Sequence, residues 1–193
     1  QITNFPPQQK ALQIINKQSG AIKIIFVGRV HPIKNLSFLL TCLQTITAKV
    51  QLTIVAAIED EAYWIKCGDI INNLTERVTV KLQQDIPHHQ IEQLINNHHL
   101  FVLPTLGENF GHAIFEALSA GRPVLISDQT PWRNLQEHHA GWDLPLSDEK
   151  RFVQALQEVS NMDDEAFQQW STGAWQYAKD FTESSNLKEK YKE

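Results

Sequence analysis

The fold is decided by residues 104–123, PTLGENFGHAIFEALSAGRP. The apolar residues 100–103 before this stretch predict a buried strand. Apolar residues recur at helical spacing within it and predict a helix over residues 109–120, with one face made by Phe110, Ala113, Ile114, Ala117 and Leu118. Gly121 favours the end of that helix, and residues 124–126 predict a second strand. A strand, a helix and a strand in this order form a right-handed crossover between parallel strands.

The same alternation runs through the rest of the chain. Apolar runs predict strands over residues 23–27, 52–56, 78–82, 100–103, 124–126 and 142–144. Amphipathic patterns predict helices near residue 36, over 63–74, from Pro87, after a Ser147 cap and over 164–181. Because strands and helices alternate without hairpin turns, we expect an α/β fold: a doubly wound, Rossmann-like parallel sheet in a single domain with C-terminal helices.

The domain boundaries follow from these patterns. We expect residues 1–20 to form a linker or lead-in helix and residues 21–160 to form the sheet domain. Residues 161–193 are expected to form a C-terminal helix and tail, polar and frayed from residue 182 onward. The chain begins with Gln1 instead of Met, which suggests one half of a larger protein.

Composition limits the function classes. A net charge of −5 argues against a general binder of nucleic acids or acidic membranes, so any phosphate affinity must come from a local basic cluster. Cys42 and Cys67 fall in predicted helices and are expected to be buried thiols of a reducing compartment. No apolar run reaches the length of a membrane span, and no signal peptide is apparent, so we expect a cytoplasmic protein.

The polar face of the predicted central helix is a candidate site. Glu108, His112 and Glu116 lie four residues apart and would project to one side, next to the carboxyl end of a strand where α/β sheets bind ligands. The turn between Gly107 and Gly111 leads into the helix start, whose unpaired N–H groups favour an anion. The alternative is an ordinary solvated helix face.

A metal site is the sharpest rival interpretation of these three residues. Ligands on one face of one helix cannot surround an ion, so we expect no metal site. The histidine doublets at residues 88–89, 98–99 and 138–139 are expected to be solvated.

A second half-site lies in the segment after the first strand. Arg29 and Lys34 are expected in this loop, and their side chains are the two usual means of holding phosphate oxygens. The loop that follows the first strand opens on the same sheet edge as the central turn. The alternative is a pair of solvated loop cations. The segment matches neither the GxxxxGK[ST] nor the GxGxxG phosphate-binding pattern.

These motifs together carry a family resemblance. Gly28-Arg29 followed by Lys34, then Glu108-Asn109-Phe110-Gly111 with Glu116 eight residues after Glu108, resembles the C-terminal, donor-binding domain of retaining glycosyltransferases of the group 1 (family 4) type. The resemblance covers residues 22–144, and it implies one half of an enzyme with the two-domain GT-B architecture.

The resemblance implies a role for each matching residue. Arg29 and Lys34 would neutralise the diphosphate of a nucleotide-sugar, Glu116 would hold ribose hydroxyls, and Glu108 would contact the donor sugar near the reacting centre. On this basis the expected catalytic residues are Glu108, Arg29 and Lys34. The other expected donor-binding residues are Gly28, Leu82, Gln83, Thr105, Asn109, Phe110, Gly111 and Glu116. Asn35 and Asn109 depart from the pattern, since glycine is frequent or usual at these positions.

The implied reaction is transfer of a sugar, of the hexosyltransferase type used in polysaccharide biosynthesis, from a nucleoside-diphosphate sugar to an acceptor hydroxyl with retention. No cofactor or metal is expected, and the partners would be the nucleotide-sugar and an absent N-terminal acceptor domain. This chain alone is therefore expected to be inactive, and any peripheral membrane association would come from the absent domain. The alternatives are another GT-B enzyme, such as a nucleotide-sugar epimerase or a phosphorylase, and a non-catalytic flavodoxin-like binding domain.

Overall fold

A single sheet of six parallel strands organises the computed structural model, which describes residues 10–190 and the side chains of residues 10–185. The strands follow the order β3-β2-β1-β4-β5-β6. They are β1 (Ala21–Val30), β2 (Lys49–Ile58), β3 (Val78–Gln83), β4 (Leu100–Leu103), β5 (Val124–Ser127) and β6 (Gly141–Leu144). The expected doubly wound α/β fold is confirmed.

Helices cover both faces of this sheet. They are α1 (Leu36–Leu43), α2 (Glu61–Asn72), α3 (His88–Asn96), α4 (His112–Ser119), α5 (Glu149–Asn161) and α6 (Asp164–Lys190), with a 3-10 turn at Pro32–Lys34. One layer is formed by α1 packed against α2 and α5, and the other by α4 packed against α3 and α6. Among the described residues, no helix is long and apolar enough to cross a membrane.

The strand order reverses direction between β1 and β4. From β1 the chain winds outward through β2 to β3, then crosses to β4 and winds the other way through β5 to β6. The loops that follow β1 and β4 therefore leave neighbouring strands toward opposite faces of the sheet. A crevice at the carboxyl ends of the strands results, and this switch point is where open α/β sheets bind ligands.

Several predicted boundaries need correction. Strand β1 continues to Val30, so Gly28 and Arg29 lie in the strand instead of the loop, and β3 includes Gln83. Asp148, not Ser147, caps α5, since its side chain accepts a hydrogen bond from the Arg151 N–H.

The structure describes part of each end of the chain. Of the two alternatives stated for residues 1–20, a linker or a lead-in helix, residues 10–18 show an irregular segment and no helix, and residues 1–9 lie outside the described part. Helix α6 continues to Lys190, past the end predicted at residue 181, and residues 191–193 lie outside the described part. Both Ala174 and Ala178 are fully buried, which makes α6 part of the same core as the sheet.

The irregular N-terminal segment is held by its main chain. Its carbonyl oxygens accept hydrogen bonds from four side chains of the folded domain, and the pairs are Trp175 with Lys10, Arg122 with Gln13, Gln168 with Ile15 and His99 with Asn16. Arg122 is fully buried, and burial lowers the pKa of its guanidinium to about 10. The segment is thereby fixed against α4 and α6 without a helix of its own.

The turn after α4 shows why the motif ends in Gly-Arg. Gly121 has a left-handed φ of +71°, and its N–H bonds the Leu118 carbonyl while the Arg122 N–H bonds the Ala117 carbonyl. This pair of bonds is the Schellman arrangement that ends a helix. The left-handed stop predicted at Gly121 is confirmed.

The histidines at residues 98 and 99 are buried, contrary to the expectation that they are solvated. The Nδ1 atom of His99 accepts a hydrogen bond from the Lys23 N–H at 3.0 Å, and its Nε2–H donates to the Asn16 carbonyl at 2.9 Å. This arrangement fixes the neutral tautomer, and burial lowers the pKa of His99 to about 4. Burial lowers the pKa of His98 as well.

The burial of His99 predicts a loss of stability in acid. The free energy of unfolding should hold above pH 6.5 and fall by up to about 3 kcal/mol toward pH 4, since the unfolded chain takes up a proton there that the folded chain excludes. Urea unfolding between pH 7.5 and 4 should show a smaller decline in His99→Gln than in the wild type. His138→Gln, at an exposed histidine, should keep the wild-type slope. An equal slope in all three proteins would contradict the assignment.

Candidate functional site

The loops after β1 and β4 are joined to each other by hydrogen bonds. The Ile33 carbonyl accepts one from the Leu106 N–H at 2.8 Å and another from the Thr105 hydroxyl at 3.1 Å. Asn35 Nδ2 donates to the Pro104 carbonyl at 3.0 Å. Asn35 itself has a left-handed φ of 58°, which asparagine tolerates better than most residues. The two loops therefore form one rigid floor at the switch point.

Opposite charges meet on this floor. Lys34 Nζ is ion-paired with Glu108 Oε1, and each side chain is only 15% exposed. Gly28 lies beside the aliphatic stem of Lys34, whose Cγ would be 3.6 Å from a Cβ at that position. The Glu108 N–H donates to the Gln129 carbonyl at 3.0 Å, so the loop after β5 also fixes this turn. The structure thus brings together the predicted residues Gly28, Lys34 and Glu108.

The start of α4 faces the same crevice with unsatisfied donors. Gly111 precedes the helix with a left-handed φ of 79°, which strongly favours glycine, and a Cβ there would also displace Ile114 Cδ1, 2.7 Å away. No side chain caps α4, whereas Asp60 and Asp148 cap α2 and α5. The free N–H groups and the helix dipole make this end of α4 suitable for an anion.

The expected alignment of Glu108, His112 and Glu116 on one helix face is wrong. The helix begins at His112, three residues later than predicted, because the left-handed Gly111 turns the chain away from a helical path. Glu108 consequently lies in the preceding turn and pairs with Lys34. Among the described residues, no group of three or more His, Cys, Asp or Glu side chains could hold a metal ion.

An aromatic cluster braces the turn that carries Phe110. The indole N–H of Trp132 donates to the Phe110 carbonyl at 2.6 Å, and the two rings lie 5.4 Å apart. Phe181 of α6 packs 4.9 Å from the Trp132 ring. Neither Trp132 nor Phe181 is predicted from the sequence as part of this site, since only tertiary packing brings them to the turn. Asn109 is exposed, and its φ is not positive, so asparagine meets no backbone strain there.

Arg29 lies at the same sheet edge but on the other side of β1. Its guanidinium is ion-paired with Glu59, beyond the end of β2, at 2.9 Å, with the two side chains 50% and 42% exposed. Lys34 instead faces β4 through its pair with Glu108. The two cations therefore share the edge predicted for them, although each is held by a different carboxylate.

Glu116 lies on the second turn of α4 and faces the start of α3. Its Oε1 is 3.5 Å from His88 Nε2, and its side chain is 19% exposed. Burial, followed by the charge of Glu92, raises the pKa of Glu116 against the opposing effect of His88. A cavity of about 90 Å³ adjoins this carboxylate, and it is lined by Lys10, Ala11, Gln13, Glu92, Ile95, Asn96, Glu116, Ser119 and Ala120.

The remaining predicted residues lie at other points of the same edge. Leu82 and Gln83 are the last two residues of β3, the outer strand of the sheet, and both are half-buried. Thr105 is fully buried, with its hydroxyl bonded to the Ile33 and Gly107 carbonyls. In the structure, the Thr105 side chain positions the loops of the floor.

Comparison with known proteins gives the chain a family context. The family model described as "Glycosyl transferases group 1" matches residues 21–162. None of the curated proteins matches the chain.

Solved structures with similar folds include WaaG, a glycosyltransferase involved in lipopolysaccharide biosynthesis (TM-score 0.66, 15% identity); the match covers 84% of this chain and 44% of WaaG. A mutant of S. aureus TarM in complex with UDP is also similar (TM-score 0.71, 16% identity), and the match covers 93% of this chain and 37% of TarM. For the C-terminal domain of the group 1 family protein LpcC from Francisella tularensis, the match covers 80% of this chain and 83% of that domain (TM-score 0.68, 12% identity). The chain thus spans less than half the length of WaaG and TarM.

The raised pKa of Glu116 predicts that its charge lowers stability at neutral pH. Because the folded chain binds a proton at Glu116 more tightly than the unfolded chain does, the free energy of unfolding includes a favourable contribution below the ordinary glutamate pKa. That contribution is lost as the pH rises and the carboxyl ionises. Glu116→Gln should therefore raise Tm at pH 7 by about 2–4 °C, and the gain should vanish near pH 4. Thermal melts at both pH values measure this effect, with Glu137→Gln as the exposed control. A Glu116→Gln protein that melts below the wild type at pH 7 would refute the prediction.

Proposed function

The chain belongs to the group 1 glycosyl transferases, and from this premise we propose that it is the nucleotide-sugar-binding, C-terminal half of a retaining GT-B enzyme. The complete enzyme would transfer a sugar from a nucleoside-diphosphate donor to an acceptor hydroxyl. The observation that carries the proposal is the junction of the loops after β1 and β4, which places Lys34 beside the uncapped start of α4.

Charge on the leaving diphosphate would be stabilised by the chain itself. Lys34 and the N–H groups at the start of α4 offer donors at one point of the crevice, and Arg29 offers a bidentate donor on the far side of β1. These positive groups develop no new charge during the reaction, and they need no metal ion to act on the phosphates. Lys34 and Arg29 would each exchange a carboxylate partner for phosphate oxygens when the donor binds.

Glu108 and Glu116 would recognise the two sugars of the donor. Glu116 lies about 6 Å farther along the axis of α4 than His112, by the rise of four helical residues, which suits a ribose attached to a phosphate at the helix start. Glu108 precedes α4 at the crevice floor and would contact the transferred sugar. We assign the base to the chain around Leu82 and Gln83, at the end of β3. The proposal that configuration is retained is based on the resemblance of the motif residues to those of retaining group 1 glycosyltransferases.

Isothermal titration calorimetry with UDP, GDP and ADP tests the nucleotide site directly. We expect the wild-type chain to bind at least one of them and Glu116→Ala to bind it at least about tenfold more weakly, through loss of a charged acceptor for two ribose hydroxyls. Binding of none of the three by the wild type would favour a non-catalytic domain. Sugar transfer would be measured on an enzyme that includes the acceptor half, and this assay separates a transferase from an epimerase or phosphorylase. Proton NMR of the product would identify its anomer and so test retention.

The ion pair between Lys34 and Glu108 predicts that replacing its two members has opposite effects on the affinity for a nucleoside diphosphate. Lys34→Met should weaken binding of a nucleoside diphosphate about tenfold or more, whereas Glu108→Gln should strengthen it several-fold, because Lys34 then has no carboxylate to exchange. Calorimetry on both variants provides the measurement. Lys23→Met, at an exposed lysine near the opposite end of β1, is the matched control and should bind as the wild type does. Weaker binding by Glu108→Gln would contradict the competition between carboxylate and phosphate.

A further inference from the structure

A short chain of alternating charges leads into the crevice from the side of α3. Lys10 is ion-paired with Glu92 through Oε2, and Glu92 Oε1 is 3.9 Å from His88 Nε2. The same His88 nitrogen is 3.5 Å from Glu116 Oε1. Lys10 is thus paired with Glu92, and the imidazole of His88 lies between that carboxylate and Glu116.

Glu116 is more shielded from water than the two α3 side chains near it. Its side chain is 19% exposed, compared with 35% for Glu92 and 68% for His88. The charged and titratable groups that face it are His88 and Glu92 on α3, His112 on α4 and Lys10 in the N-terminal segment. Burial and Glu92 raise the pKa of Glu116, and His88 is the foremost of the groups that lower it.

We propose that His88 is a positioning residue for Glu116. Its ring nitrogen, 3.5 Å from Glu116 Oε1, holds the carboxylate toward the start of α3, and a proton on the imidazole favours the ionised carboxylate, whose oxygens act only as acceptors. This inference rests on the proposed function, in which Glu116 accepts the ribose hydroxyls of a nucleotide. An ionised carboxylate accepts such bonds about twice as strongly as a neutral acceptor. His88 thereby extends nucleotide binding into mildly acidic solution, where histidine is charged.

The direct test is to titrate Glu116 itself. Carbon-13 NMR of the Glu116 side-chain carboxyl, assigned with Glu116→Gln, gives its titration midpoint in the wild type, in His88→Gln and in the control His89→Gln. His89 is the exposed neighbour of His88 on α3, so its replacement matches the change in composition and helix position. We expect His88→Gln to raise the midpoint by about half a pH unit or more and His89→Gln to leave it in place.

The functional test is the pH dependence of nucleotide affinity. As the pH is lowered from 8 to 5.5, the nucleotide affinity of His88→Gln should begin to fall at a higher pH than that of the wild type. At pH 5.5 the variant should bind the nucleotide about threefold or more weakly than the wild type does. At pH 8, where histidine is neutral, the two proteins should agree within about twofold. A purely structural role of His88 would instead lower affinity equally at every pH.

The outcomes separate this inference from the proposed function. An unchanged Glu116 midpoint in His88→Gln overturns the positioning role, whether or not a nucleotide binds. A shifted midpoint with unshifted nucleotide affinity overturns it as well. If His88→Gln shifts the Glu116 midpoint but the wild-type chain binds none of UDP, GDP and ADP, the coupling of the two side chains is supported and the nucleotide is removed from the proposal.

Discussion

The carbonyl oxygen of Ile33 is the point on which the crevice depends. It accepts hydrogen bonds from both Thr105 and Leu106, and it thereby joins loops that leave neighbouring strands in opposite directions. A parallel sheet alone would leave these loops apart, since nothing in strand pairing fixes the chain beyond the strand ends. The order of the strands provides the crevice, and this junction fixes its width.

Electrostatics in the crevice follows from that junction. Because the loops are held together, Lys34 and Glu108 meet where both are largely shielded from water and where each would be costly to leave unpaired. In the structure, the positive charge of Lys34 is therefore neutralised by the carboxylate of Glu108. A ligand with phosphate groups, as proposed, would replace one charged partner of Lys34 by another, so the free-energy cost of its binding would be smaller than that of leaving Lys34 unpaired.

The fold could be predicted from the sequence because its signals are local. The apolar runs of the strands and the helical stripe of α4 depend on spacing alone, and all six predicted strands are present in the described chain. The site was predicted less completely. The turn between Gly107 and Gly111 was predicted to lead into the helix, yet the left-handed backbone of Gly111 delays α4 to His112 and separates Glu108 from the helix face.

The errors concern residues whose environment is made by distant segments. His98 and His99 are polar by type, but β2 and the N-terminal segment cover them and supply partners to their rings. Neither Trp132 nor His88 carries a local signal, since their partners, Phe110 and Glu116, lie 22 and 28 residues away in the sequence. Burial and ion pairing of this kind are properties of the assembled core.

The N-terminal segment is bound through the carbonyl groups of Lys10, Gln13, Ile15 and Asn16, and the donors are side chains from elsewhere in the domain. Every residue type, proline included, presents such a carbonyl in much the same way. Much of the route of this segment is therefore encoded outside it, at Trp175, Arg122, Gln168 and His99. Lys17 and Lys10 are exceptions within the segment, because the buried Lys17 ammonium donates to the Ser160 and Met162 carbonyls and Lys10 is ion-paired with Glu92. A change at any of the four outside donors would loosen a stretch of chain to which the mutated residue does not belong.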